Sequence, residues 1–188
     1  MFEPDPCNVA LVRATICRQS LTGITVREVV VSDTRGTRCF SRDWISGSTG
    51  GVLDNAVSYS EREWRAAPTP AVVAAVSLDD ERVAAGGVDL IKIDVEGHEE
   101  AVIRGALETI RSDQPILIFE CFHGGHEIIS ALQPLGYLFI DADHMALDLR
   151  TASNFLALPK RHRAVLEELG RRWRDGAAPA GCRKPFCV

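Results

Sequence analysis

The stretch Lys92-Ile93-Asp94-Val95-Glu96-Gly97-His98-Glu99-Glu100 is the densest in groups that could do chemistry. Asp94 closes an apolar run that reads as a buried strand, and Glu96, Gly97 and His98 form the turn into the next helix. In open α/β sheets, ligands bind outside the carboxyl ends of the strands. Asp94, Glu96 and His98 could therefore converge on one ligand. Carboxylates with an imidazole suit proton abstraction, metal binding, or recognition of an amine or hydroxyl. The plainer alternative is a helix start decorated with acids that complement its dipole. An acid at the tip of an otherwise apolar strand favours the site.

Phe2-Glu3-Pro4-Asp5-Pro6 is a second candidate. Phe2 reads as the last residue of a strand, and Asp5-Pro6 as a helix start with Asp as N-cap and Pro at the first helical position. Glu3 then sits in a strand-to-helix turn. After a second strand, an acid there can bond both ribose hydroxyls of a nucleoside. His123 and His126, three apart after Glu120, admit a metal pair, but no full ligand set accompanies them and an ordinary loop is the simpler reading. No nucleophile elbow, Walker-type loop or Cys/His zinc pattern is present.

Four apolar stretches read as the buried strands behind these residues: Val26–Ser32, Val88–Val95, Pro115–Cys121 and Tyr137–Asp143. Asn154–Leu158 is a further strand that could pair with the last of them. A helix is expected from Asp5-Pro6 through Val9, Val12 and Ile16. Another carries Ile103, Ala106, Leu107 and Ile110 on one face, with Glu99 and Glu100 in its first turn and Arg111 near its end. Ile128, Ile129 and Leu132 mark a third, and Arg161–Trp173 a last one with Val165, Leu169 and Trp173 on one face. This alternation predicts an α/β fold with a mainly parallel, doubly wound sheet. Residues 33–80, rich in Gly and Pro with Trp44 and Trp64 between, read as a hairpin and excursion over one end of the sheet.

The 188 residues suit one core. Net charge is −5, but residues 1–150 carry −10 and residues 151–188 carry +5. An acidic body argues against a nucleic-acid-binding surface. No apolar run reaches the length of a membrane span, and the first residues show neither a basic start nor an apolar stretch, so a cytoplasmic setting is expected. The cysteines are Cys7, Cys17, Cys39, Cys121, Cys182 and Cys187, without a Cys-x-x-Cys pair. In a reducing compartment they are free thiols, with Cys182 and Cys187 able to bridge if oxidised.

Together these residues resemble the FkbM-type family of S-adenosylmethionine-dependent methyltransferases. Phe2–Pro6 is similar to that family's "FEPxP" segment. Val31-Ser32-Asp33 with Gly36 resembles its strand-three exit, and Ser77-Leu78-Asp79 its "TLD" element. Leu90–Glu99 with Gly105-Ala106 is the most specific part. Pro115–Glu120, Gly136-Tyr137 and Asn154-Phe155 match later elements.

The resemblance implies a Rossmann-like class I methyltransferase sheet with helices on both faces. It implies a partial methyltransferase domain over residues 1–159, followed by a C-terminal helix and basic tail over 160–188. It further implies S-adenosylmethionine as cofactor, no metal, and methyl transfer to a hydroxyl of a sugar, polysaccharide or natural product. By carry-over, Glu3 is the ribose-binding acid, Ser32 and Asp33 lie by the adenine edge, and Asp94 contributes to the cofactor site. Asp94, Glu96 and His98 lie where methyl and acceptor meet, with Asp94 or His98 as base and Glu96 orienting.

In the family, a first strand and a Gly-rich loop precede "FEPxP", whereas here Met1 stands where the second strand should be ending. A chain without them should show a groove or disrupted pairing between residues 1–32 and the Val88–Val95 strand. A late-assigned start and a genuine truncation are both open. So, as an alternative function, is a catalytically impaired methyltransferase-like fragment or binding domain. Metal-assisted hydrolysis by Asp94, Glu96, His98 and the His123/His126 pair ranks last.

Overall fold

The computed structural model describes residues 1–42, 50–53, 69–81, 87–121 and 125–174. Trp44, Trp64, His123, Cys182 and Cys187 lie outside them, as do the side chains of Leu169 and Trp173. The chain is a mixed α/β protein of two compact units. One holds Met1–Asp89 with Ile93–Gln114, the other Leu90–Lys92 with Pro115–Val188.

The first unit starts as the sequence suggests. Phe2 forms an isolated parallel bridge with Arg27, closed by Arg27 N–H donating to the Met1 carbonyl (2.9 Å) and Glu3 N–H to the Arg27 carbonyl (3.0 Å). Asp5 then caps helix α1 (Pro6–Arg18), its carboxylate accepting the Cys7 N–H at 2.7 Å. Glu3 is thereby fixed between a strand bridge and a capped helix start. The sheet of this unit has the order β1 (Val30–Val31), β4 (Thr69–Val76), β2 (Gly36–Arg42), β3 (Gly51–Val52). Strand β1 runs parallel to β4, whereas β2 runs antiparallel to both β4 and β3. Val30, Phe40 and Ala75 form the buried centre of this sheet, with Val52 and Val73 packed on it.

Two expectations are corrected here. Residues 33–80 do hold an antiparallel pair, as the expected hairpin requires, but its arms β2 and β4 are the two longest described strands within the unit's own sheet rather than a cover over its end. Pro70 masked β4, but it stands at the second position of the strand, where a missing N–H costs the ladder little. The expected strand Val26–Ser32 is extended over only Val30–Val31.

The stripe Ile103–Ile110 also divides. It forms α2 (Glu99–Arg104) and α3 (Leu107–Asp113), which break at Gly105-Ala106. Helix α3 has Ala106 at its own N-cap and borrows a cap from elsewhere. Asp79 accepts the N–H groups of Glu108 (3.1 Å) and Thr109 (2.8 Å) and the Thr109 hydroxyl (2.7 Å). Those N–H groups would otherwise be orphaned at a helix start. This gives the Ser77-Leu78-Asp79 motif a structural task.

The sheet of the second unit has the order β5 (Leu90–Ile93), β6 (Ile116–Glu120), β8 (Asn154–Pro159), β7 (Tyr137–Asp141). The expected pairing of β8 with β7 is present and antiparallel, from Tyr137↔Pro159 to Asp141↔Phe155. Strands β6 and β8 are antiparallel as well. The mainly parallel sheet expected from the strand–helix rhythm is thus not what these pairs form. Phe119 and Phe155 stack with centroids 5.0 Å apart, and helix α4 (His126–Leu132) buries Ile128 and Leu132. Tyr137 is buried and donates its hydroxyl to the Pro115 carbonyl at 2.8 Å, and burial pushes its pKa up to about 12. Helix α5 (Arg163–Arg174) closes the described chain, with Val165 exposed rather than buried.

Among the described residues, β1 and β5 belong to different sheets. No described helix is long and apolar enough to cross a membrane. Cys7, Cys17, Cys39 and Cys121 are free thiols.

Candidate active site

The turn after β5 has an unusual backbone. Glu96 has φ +52° and Gly97 φ +96°. A non-glycine residue in the left-handed region costs about 1–2 kcal/mol. The buried Glu99, in the first turn of α2, accepts the Gly97 N–H at 2.9 Å and holds the turn from behind. His98 follows, and its carbonyl accepts the Val102 N–H. Among the described residues Glu96 shares this conformation with Ser20, Gln114 and Met145, and it is the one of the four that lines the cavity described next.

A cavity of about 300 Å³ opens within the first unit. It is lined by Phe2, Glu3, Pro4 and Asn8 from the N-terminal turn and α1, by Val29–Val31 and Phe40, by Gly50-Gly51-Val52, and by Asp94, Val95, Glu96 and His98. Its size lies at the lower end for small-molecule sites. Glu3, Asp94, Glu96 and His98 are therefore brought to one space. The described lining holds three carboxylates and no Lys or Arg. One wall is apolar, with Val30, Phe40 and Val52 lining it from the buried cluster of the sheet.

Glu3 is half-buried and accepts the Asp5 N–H at 2.8 Å through Oε1. Burial raises its pKa above the usual carboxylate value, and the Asp5 charge adds to this. The Asp5 N–H and Asn8 oppose the rise without cancelling it.

Ser32 and Asp33 do not line the cavity. They stand behind it, at the exit of β1. Ser32 is fully buried, its Oγ 3.0 Å from His98 Nε2 and 3.1 Å from Asp33 Oδ1. Asp33 also accepts from Arg38 at 2.9 Å and lies 3.7 Å from Arg104. Desolvation would lift the Asp33 carboxyl, but the Ser32 and Arg38 hydrogen bonds and the Arg104 charge hold it below its usual range. His123 lies outside the described residues, and among those described no three His, Cys, Asp or Glu side chains cluster as metal ligands.

Sequence reasoning missed part of this site. Gly50-Gly51 forms a wall that the Gly-rich character of residues 33–80 only hinted at. A Cβ on Gly51 would touch the Glu96 Cβ at 3.5 Å, and one on Gly50 would overlap the Phe40 ring at 2.6 Å. Asn8 and Phe40 carried no signal, because their roles depend on which strands pair. Gly105 was noted only as part of a motif. An added Cβ there would lie 2.0 Å from the Ser32 carbonyl oxygen, so its bare backbone is what lets α2 approach the end of β1.

Residues 1–171 match the methyltransferase FkbM domain. The chain belongs to the FkbM methyltransferase domain family. The crystal structure of a methyltransferase FkbM from Methylobacillus flagellatus KT is similar in fold to this FkbM-domain chain, with a TM-score of 0.52 at 18% sequence identity. That likeness covers 84% of this chain but 35% of the other, so the FkbM domain here spans about a third of that protein's length. No curated protein matches the chain.

Proposed function

We propose that this FkbM domain binds S-adenosylmethionine in the acidic cavity and directs its methyl group to the hydroxyl of a small-molecule or glycan acceptor. The observation that carries this reading is the shared cavity of Glu3, Asp94, Glu96 and His98. The donor set fits the cofactor. Glu3 offers a carboxylate to a vicinal diol, and Val29–Val31 and Phe40 an apolar wall to a base; Ser32 and Asp33, expected at the adenine edge, stand behind that wall and are not part of this donor set. Glu3, Asp94 and Glu96 on one cavity favour a cationic ligand over the phosphates of a dinucleotide.

Bound there, S-adenosylmethionine would supply an electrophilic methyl group. The protein's own work is positioning and proton transfer. Asp94 and Glu96, just after the end of β5, would hold the acceptor against the cofactor, and such positioning supplies much of the acceleration in a displacement. An alcohol is a poor nucleophile at neutral pH, so Asp94 or His98 takes its proton as it attacks, while Glu96 orients it. Such a base contributes about 10²–10⁴-fold. The methyltransferase domain is read as residues 1–159, followed by a C-terminal segment over 160–188.

Titration calorimetry with S-adenosylmethionine on the full chain tests the reading. Saturable binding is expected, with Glu3→Gln weakening it about 10–100-fold, the worth of a charge-assisted hydrogen bond. No measurable heat, or undiminished affinity in Glu3→Gln, would overturn it and favour a methyltransferase-like domain without this cofactor.

A further inference from the structure

The two groups behind the cavity wall form a directional hydrogen-bond chain that ends on His98. Asp33 is flanked by the guanidinium groups of Arg38 (2.9 Å) and Arg104 (3.7 Å), and its carboxyl is held in the ionised form. An ionised carboxylate only accepts hydrogen bonds. The Ser32 hydroxyl, 3.1 Å from Asp33 Oδ1, therefore gives its single proton to Asp33. Ser32 Oγ is then left as an acceptor. Its neighbour on that side is His98 Nε2 at 3.0 Å, so Nε2 must carry the hydrogen. In a neutral imidazole one nitrogen donates and the other holds the lone pair.

We propose that Ser32 and Asp33 are positioning residues that hold neutral His98 in the Nε2–H tautomer, so that the basic lone pair of the ring is on Nδ1. This rests on the reading of His98 as a group of the methyl-transfer cavity. It gives the Ser32 hydroxyl a task on the far side of the wall from the ligand.

Ser32 is 0% exposed, so water does not substitute for either bond. Its backbone is fixed on both sides. Ser32 N–H donates to the Val76 carbonyl at 2.8 Å, and the Gly105 backbone abuts the Ser32 carbonyl. The hydroxyl is thus placed by the sheet rather than by a flexible loop. The arrangement has the logic of a base oriented by a third group, here with a hydroxyl inserted between imidazole and carboxylate.

Long-range proton–nitrogen NMR on the full, ligand-free chain at a pH above 8 reads the tautomer of each histidine. The His98 signals are assigned by their loss in His98→Gln. His144 is an internal reference of opposite kind, because Asp141 Oδ2 accepts from its Nδ1 at 2.7 Å. Wild-type His98 is expected as the Nε2–H form. In Asp33→Ala the Ser32 hydroxyl is released to donate to Nε2, and the His98 signals should move toward the Nδ1–H pattern of His144. Asp33→Ala combined with Ser32→Ala should not make that move, because the donor is gone. A merely structural role would leave the tautomer ratio unchanged in Asp33→Ala, and that result overturns the proposal. So does wild-type His98 protonated on Nδ1, which needs no variant to fold. The measurement uses no cofactor, so a failure of S-adenosylmethionine binding in the calorimeter is a separate result that strikes the cavity reading alone.

Discussion

A methyl group at position 105 has no room. The ideal Cβ of Gly105 falls 2.0 Å from the backbone oxygen of Ser32, an atom that cannot swing away like a side-chain tip. Gly105→Ala should therefore destabilise the protein by about 1–3 kcal/mol, the range for overpacking. It should also shift Ser32 away from His98. Urea unfolding reads the first effect and the His98 nitrogen shifts read the second. A fully stable Gly105→Ala with unchanged shifts would mean that the approach at the end of β1 is not as tight as described.

Asp141 and His144 make a second residue-scale case, within the other unit. Burial would raise the Asp141 carboxyl, but the His144 ring and the N–H groups of His144 and Asp143 more than offset this, so its pKa lies below the usual value. His144 is raised above 6.5 by its hydrogen bond to Asp141 and the charge of that carboxylate. The signs follow from linkage. The Asp141 contribution is present above the ordinary carboxylate pKa and is lost as pH falls through the lowered one. The His144 contribution is complete below 6.5 and is lost as pH rises through the raised value. Asp141→Asn should return the His144 titration, followed by proton NMR, to near 6.5. It should also cost the most stability between the two windows, near pH 5–6. An unmoved His144 midpoint would refute the pairing.

At the level of elements, the informative feature is a helix without its own cap. Helix α3 begins at Leu107 after Ala106, and Asp79 supplies the acceptor from nearly thirty residues away in sequence. Asp79→Ala should lower the unfolding free energy by about 1–2 kcal/mol, as for loss of an ordinary N-cap. Thr109→Val, which removes only the hydroxyl bond, should cost less. Chemical denaturation of both variants checks the order, and the reverse order would assign the stabilisation to Thr109 instead. The same element explains an error of pattern reading. The stripe Ile103–Ile110 has one continuous helical period, yet α2 and α3 break inside it. The break follows from the close backbone approach at Gly105, and hydrophobic spacing does not register such an approach. Asp5-Pro6, by contrast, was readable because an N-cap and its first-turn proline act within three residues.

The whole molecule carries a net charge of −5, and the cavity concentrates that sign, with Glu3, Asp94 and Glu96 lining it. A cationic sulfonium should therefore bind better than the neutral thioether left after methyl loss. Salt should narrow the difference, because screening weakens long-range attraction. Calorimetry of S-adenosylmethionine against S-adenosylhomocysteine at two ionic strengths measures this, and Asp94→Asn should reduce the preference. Equal affinities at low salt would show that the carboxylates do not sense the sulfonium.

The sequence by itself determined the local pieces of this protein. It showed the acid after Phe2, the Asp5 cap, the acids and imidazole that follow β5, and the β7–β8 pair, because each depends on neighbours a few residues away or on strong apolar runs. The tertiary structure alone decided that Glu3 and His98, 95 positions apart, share one cavity. It also decided that residues 33–80 supply β2, β4 and the Gly50-Gly51 wall, that the strand pairs are mostly antiparallel, and that Ser32 faces His98. Strand pairing and cavity walls depend on which distant backbones hydrogen-bond to each other. No local spacing encodes that choice.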